Sequence, residues 1–287
     1  MTAQTVIGVV GNGTVGGATA RVWMEHAEVR VYDTVKQKRT HHLKDVLDAD
    51  VVFVCLPTPK YTDGGYDCDT TAILDFFREL PDVYRTRSYA LRSTVPIGFT
   101  RQCRDQFNLR NLVHNPEFLT ARCAAVDAQT PTRNIIGGEM VDGYDVAALY
   151  RRRFPGVPTM VVRPESSELI KLGQNAFFAT KVAFFNELNT LAVAAGADWS
   201  EVIAGILADG RISHSHTSVP GPDRKYGFGG ECLPKDLASL IACLDKFGVR
   251  RDVASGVYSR NEADRLRTSN LAGRTVVPNP TGVPDDA

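Results

Sequence analysis

Short apolar runs and amphipathic stretches alternate through the first half of the chain, and the alternation then stops. The runs Thr5 to Val10, Glu28 to Tyr32, Asp50 to Leu56, Tyr89 to Arg92 and Leu112 to His114 have the length and β-branched content of buried strands. Between the first two lies Val15 to His26, whose apolar spacing is helical. Buried strands joined through helices predict an α/β domain, a doubly wound parallel sheet of Rossmann type, over residues 1–163. From about Glu165 the pattern turns helical throughout. Ser166 to Ala195 reads as one long helix stopped by Gly196, followed by Trp199 to Leu207, Pro234 to Phe247 and Arg251 to Thr268. An all-helical second domain is therefore expected over 164–270, with the boundary near Pro164. Residues 271–287, rich in Pro, Gly and Asp, predict a flexible tail. No internal repeat is visible.

Composition narrows the class. The chain has 287 residues, 43% of them hydrophobic, enough for a sizeable core. Thirty-three basic residues balance thirty-three acidic ones, so no nucleic-acid partner is expected. The run Arg151, Arg152, Arg153 reads as solvated helix surface. No stretch has the roughly 18 uninterrupted apolar residues of a membrane span, and the N-terminus runs into a strand without a signal pattern. No membrane partner and a cytoplasmic location are expected. The six cysteines are scattered, which predicts reduced thiols. His41 with His42, and His214 with His216, lack further ligands at metal spacing, so no metal is expected.

Two segments carry candidate chemistry. The first strand runs directly into Gly11, Asn12, Gly13, Thr14, Val15, Gly16, a GxGxxG turn opening a helix. The first glycine makes the turn, the second lets a pyrophosphate approach, and the third allows helix and strand to pack. Asp33, about twenty residues on at the end of the second strand, is placed to accept a ribose 2′-hydroxyl. An acid there favours NAD over NADP. Pro57, Thr58 and Pro59, then Ser93 and Thr94, then Asn115, Pro116 and Glu117, each follow a strand and so share the ligand-binding rim of a parallel sheet. Any one cluster alone reads equally well as a turn.

The second segment is GFGGECLPKD, Gly227 to Asp236, which sets Cys232 in a glycine-rich loop ahead of a helix expected from Pro234. Free amides at a helix N-terminus favour thiolate over thiol. On the long helix, Lys171 and Asn175 are four apart and share a face. Taken alone, such a pair is usually surface, as a lone Cys is usually a buried thiol.

Six segments in order, GNGTVG (11–16), LPTP (56–59), STVP (93–96), NPEFL (115–119), KLGQNAFFATKVAFFNELN (171–189) and GFGGECLPKD (227–236), carry a likeness: the chain resembles the UDP-glucose/GDP-mannose dehydrogenase family. The resemblance implies oxidation of a nucleotide sugar's primary alcohol to a carboxylate with two NAD, UDP-glucose being the first substrate to try. It implies Cys232 as the nucleophile that holds the aldehyde as a thiohemiacetal and then a thioester. Lys171 and Asn175 are implied to steady the substrate oxygen, Glu117 to activate water, Thr94 to position water beside the nicotinamide, and Asp236 to assist proton transfer. Pro57, Thr58 and Thr94 would line the cofactor; Phe118, Leu119, Phe228 and Gly229 would line the sugar. A homodimer through the long helix is expected from the resemblance and from the apolar run around Phe177, Phe178, Phe184 and Phe185.

Three departures qualify the likeness. The sequence ends after the helical region, so a shortened member without the family's third, nucleotide-covering domain is expected. After NPEFL, Ala121 and Arg122 stand where the family has Glu and Gly, and Arg122 reads either as a phosphate contact or as a surface arginine. The stretch from Asp33 to Asp50 is short, while Ser218 to Tyr226 is long, which complicates the transfer of a family arginine to Arg211. Two other functions remain open on sequence: a two-electron hydroxy-acid dehydrogenase, and a non-catalytic NAD-binding subunit.

Overall fold

A computed structural model describes residues 5–60, 66–120, 122–139 and 143–267. In chain order the elements are β1 (Val6–Val10), α1 (Thr14–Trp23), β2 (Glu28–Tyr32), α2 (Leu43–Leu47), β3 (Val51–Val54), α3 (Thr71–Arg78), β4 (Ser88–Leu91) and α4 (Phe99–Gln106). They continue with β5 (Asn111–His114), α5 (Ala124–Gln129), β6 (Asn134–Gly137), α6 (Tyr144–Arg153), β7 (Thr159–Val162), α7 (Pro164–Ala195), α8 (Trp199–Leu207), α9 (Cys232–Lys246) and α10 (Asp252–Leu266). The chain divides into two compact units. Residues 5–60 and 68–171 make the first; residues 66–67 and 172–267 make the second.

The first unit is a seven-stranded sheet in the order β2-β1-β3-β4-β5-β6-β7. Successive residues of β1 point to opposite faces: Ile7 and Val9 pack into one buried cluster with Trp23, Phe53 and Tyr150, and Val10 into another with Val54, Phe77 and Leu91. Both faces are thus dry, which accounts for strands that are apolar throughout rather than alternating. β1 pairs in parallel with β2 on one side and β3 on the other, so the chain order reverses there and the C-terminal ends of β1 and β3 open a crevice.

Two strands, β6 and β7, escaped the sequence reading. β6 has only two apolar residues, between Asn134 and Gly137, and β7 is an edge strand with no buried residue, so neither gives the continuous apolar run of the inner strands. β6 joins β5 through one antiparallel pairing, His114 with Gly137, so the sheet is mostly rather than wholly parallel.

In the second unit, α7, α9 and α10 close on a core of Ala179, Val182, Phe228, Leu237, Ile241 and Val257. Gly196, at φ +72°, ends α7, and the Asp198 carboxylate accepts the Ser200 amide to start α8. α8 buries none of its residues. α9 begins two residues before the expected Pro234, because a proline in the first helical turn lacks only an amide that has no intrahelical partner. Cys232 is therefore the first residue of the helix rather than part of the loop before it. The expected tail, 271–287, lies outside the described residues.

Candidate active site

In the first unit, the glycine turn has the shape of a phosphate cradle. Gly11 lies at φ +88°, and a side chain there would bring its Cβ within 2.5 Å of the Cys55 carbonyl oxygen. A Cβ on Gly16 would overlap the Gly11 carbonyl oxygen, so only glycine lets α1 approach β1 this closely. Gly13, in contrast, faces open space, and no side chain caps the α1 N-terminus where Thr14 and Val15 begin it. Free amides beside open space suit an anionic pyrophosphate. The Asp33 carboxylate accepts the Asn12 amide at 2.7 Å and the Val35 amide at 2.8 Å, which fixes it beside the turn. These features fit a dinucleotide: the Gly13–Gly16 amides to the phosphates, Asp33 to a ribose.

The rim loops are tied to one another. Thr58 donates its hydroxyl to the Thr94 carbonyl at 2.9 Å, and Ser93 donates to the Leu56 carbonyl at 2.5 Å. The loops after β3 and β4, which carry Pro57, Thr58 and Thr94, are thereby held as one surface.

Beyond β5, Glu117 is buried and accepts the Lys171 ammonium at 2.9 Å and the Leu119 amide at 2.7 Å. Burial pushes its carboxyl upward, but the Lys171 charge and hydrogen bond, the Leu119 amide and the Arg92 charge together hold it below its ordinary value. Glu117 is thus a carboxylate, the form that serves as a base. Phe118 lies between cations, with the Arg133 guanidinium 4.3 Å and the Lys171 ammonium 5.6 Å from its ring centre.

Three residues absent from the sequence reading support this pair. Arg92 donates to the Asn115 side-chain oxygen and to the Tyr150 hydroxyl, both at 2.8 Å; Tyr150 donates to the same oxygen at 2.7 Å, and the Asn115 amide donates to the Ile135 carbonyl at 2.9 Å. Asn115, two residues before Glu117, is thereby locked. The buried Arg92 Nε meets no acceptor. Glu168 on α7 accepts the Gly98 and Thr100 amides at 2.6 and 2.8 Å, and burial pushes its carboxyl up to about 7.

In the second unit, Cys232 is exposed at the start of a fifteen-residue helix with no side-chain cap. Asp236, one turn later and fully buried, accepts the Asn175 side-chain amide and the Lys235 ammonium, each at 2.5 Å. One amide hydrogen of Asn175 is thus spent on Asp236, and the second remains to be donated. Phe228 is buried, and Gly229 packs against α10, where a Cβ would overlap the Arg265 guanidinium.

The structure therefore brings Glu117, Phe118, Leu119 and Lys171 together in one unit, and Asn175 and Asp236 together in the other with Cys232 a turn away. Arg211 stands apart, exposed and ion-paired with Asp209 in its own loop at 2.5 Å. Arg122 is exposed, and Ala121 lies outside the described residues. Among the described residues no helix is long and apolar enough to cross a membrane, and no group of three His, Cys, Asp or Glu side chains is gathered as a metal site.

Comparison with known proteins adds independent findings. The UDP-glucose 6-dehydrogenase of Campylobacter jejuni is 29% identical over 235 residues, which cover 81% of this chain and 58% of that protein. Against several other curated relatives the chain spans about half their length. Among solved structures, a UDP-glucose dehydrogenase from Pyrobaculum islandicum superposes with a TM-score of 0.80 at 23% identity, over 91% of this chain and 69% of that one. The Mycobacterium tuberculosis 3-hydroxyisobutyrate dehydrogenase has a TM-score of 0.72 at 17% identity, over 92% and 95% of the two chains. Likenesses at these identities establish the fold alone. Residues 29–153 match the model of the UDP-glucose/GDP-mannose dehydrogenase family NAD binding domain, and residues 165–263 match its central domain. Together those two regions take in most of both compact units, leaving out β1, the glycine turn, α1 and β7, and the chain belongs to the UDP-glucose/GDP-mannose dehydrogenase family.

Proposed function

We propose that this chain carries out the NAD-dependent, four-electron oxidation of a nucleotide sugar's primary alcohol to a carboxylate, with UDP-glucose the leading substrate. The observation that carries this reading is Cys232, exposed as the first residue of α9 one turn from a buried Asp236 already bonded to Asn175. A two-electron hydroxy-acid dehydrogenase, which shares the fold, has no step that uses such a thiol.

Bound NAD supplies a hydride acceptor at each oxidation. Lys171 and the free amide hydrogen of Asn175 steady negative charge as the sugar hydroxyl loses its proton and its carbon loses a hydride. The Cys232 thiolate then adds to the aldehyde carbon, and the resulting thiohemiacetal retains the reactive species while offering a second hydride. Loss of that hydride and of the hydroxyl proton leaves a thioester. Glu117, held ionised by Lys171, takes a proton from a water positioned by Thr94; the water oxygen bonds to the acyl carbon and sulfur leaves. Asp236 assists proton transfer at sulfur. Phe118, Leu119, Phe228 and Gly229 are assigned to the sugar, and Arg122 to a phosphate.

The chain is further proposed to act as a homodimer through α7. Phe177, Phe184 and Leu191 recur every seven residues on that helix and are 61%, 57% and 62% exposed, an apolar stripe suited to a second copy.

The test is stoichiometry. Purified chain given UDP-glucose or GDP-mannose with excess NAD should yield two NADH per sugar and a uronate by mass spectrometry, and Cys232→Ser should not exceed one. A full yield from Cys232→Ser, or no NADH from any nucleotide sugar, would defeat the proposal. One NADH with indifference to Cys232 would transfer the assignment to a two-electron dehydrogenase.

A further inference from the structure

The loop that leads into Cys232 is gripped from behind by two buried asparagines. Asn186 on α7 donates its side-chain amide to the Val182 carbonyl at 2.7 Å, which turns its oxygen outward to accept the Gly227 amide at 3.0 Å. Asn261 on α10 accepts the next amide, that of Phe228, at 2.6 Å. Since a backbone N–H only donates, both side chains must present oxygen to the loop. Asn186 is fully buried and Asn261 is 8% exposed, so neither bond competes with water.

The loop's own residues are shaped to accept this grip. Gly227 sits at φ +70°, and a Cβ there would come within 2.5 Å of the Asn261 side-chain oxygen. Only glycine both turns the chain and leaves room for that oxygen. Phe228 then plugs into the core formed by α7, α9 and α10, as does Leu233 just past the thiol. Between these anchors lie Gly229, Gly230, Glu231 and Cys232, and Gly230 is also left-handed at φ +75°. Such a glycine-rich stretch has many conformations, and its direction is set by the fixed end that precedes it.

We propose that Asn186 and Asn261 are positioning residues that hold the Gly227–Phe228 backbone so that the following turn delivers Cys232 to the N-terminus of α9. They act on the thiol through the loop and do not themselves touch substrate. This rests on the reading of Cys232 as the reacting thiol. Its distinctive consequence concerns the thiol itself: if the grip is lost, the sulfur leaves the free amides of the first helical turn and the thiolate loses its stabilisation.

The test is alkylation of Cys232 by iodoacetamide from about pH 6 to 10 in the full chain, resolved from the other cysteines by peptide mapping. Wild type is compared with Asn186→Ser and Asn261→Ser, whose side chains are too short to reach the loop. The midpoint of the alkylation profile should rise by about one pH unit, equivalent to about ten-fold less thiolate at neutral pH. The second NADH of the reaction should slow more than the first. Folded variants with a lower Tm but the wild-type alkylation profile would overturn the proposal, since a merely structural role predicts that result. Should neither variant fold, amide exchange in native wild type decides: Gly227 and Phe228 must exchange more slowly than Gly229 and Gly230, and equal rates would overturn it. If Cys232→Ser keeps the two-NADH yield while the alkylation shift is seen, the proposed reaction fails and the positioning role stands.

Discussion

His114 shows how a single residue can bind the sheet's stability to pH. It ends β5 fully buried, with Nε2 3.3 Å from the Ser93 carbonyl and Nδ1 2.9 Å from the Ser167 hydroxyl. A carbonyl only accepts, so Nε2 carries the proton and Nδ1 accepts from Ser167. Burial pushes the imidazole down from 6.5 to about 3, with the Lys171 and Arg92 charges acting in the same direction. The folded pKa is depressed, so the unfolded chain binds the extra proton; the stability is complete above 6.5 and is lost as pH falls toward 3. Urea unfolding between these values should show His114 contributing a slope of about 1.4 kcal/mol per pH unit. His114→Gln should flatten that portion of the profile, and an unchanged slope would contradict the assignment. Residues of this kind were hidden in the sequence. Glu117, Lys171 and Cys232 stand in recognisable motifs, whereas His114 and Arg92 sit at strand ends where nothing in the sequence reveals what they face. Asn186 did leave a trace: it follows Asn175 by eleven residues, three helical turns, on the same face as the buried Ala179 and Val182.

At the scale of elements, the β1 turn and α1 form a unit whose spacing is set by an absent side chain. Because a Cβ at Gly16 would meet backbone, Gly16→Ala must push α1 away from β1 and move the free amides off the phosphate position. Overpacking of this sort costs about 1–3 kcal/mol. Titration calorimetry should then find NAD binding weakened roughly 10- to 100-fold, and unchanged affinity would place the dinucleotide elsewhere. Long elements were easier to foresee than short ones. The thirty-two residues of α7 announce themselves by period, and α8 begins and ends at the expected Trp199 and Leu207. β6, with two apolar residues between Asn134 and Gly137, and β7, half-exposed at the sheet edge, lack the buried run that marks the inner strands, and α9 was misplaced by a proline that its first turn tolerates.

For the molecule as a whole, the exposed stripe on α7 makes self-association a direct expectation. Sedimentation equilibrium should give twice the chain mass for wild type, and Phe184→Glu should shift it toward the monomer, because a charge in the middle of a dry seam is left unpaired. A monomeric wild type would remove the homodimer from the proposal. The change from alternating strands and helices to helices alone was legible in the hydrophobic period, whereas the compact units divide inside α7, between Lys171 and Leu172. The assignment of residues 66–67 to the second unit was not legible, since nothing local in the sequence records a long-range excursion. The two glycines that meet α10 carry different histories of constraint. At Gly227 part of the restriction lies in the backbone angle itself, which disfavours a side chain whatever surrounds it. At Gly229 the obstacle is the far end of the flexible Arg265 side chain, so a larger residue there becomes admissible once position 265 shortens. Positions 229 and 265 are therefore coupled to each other by space, whereas position 227 answers first to its own backbone angle.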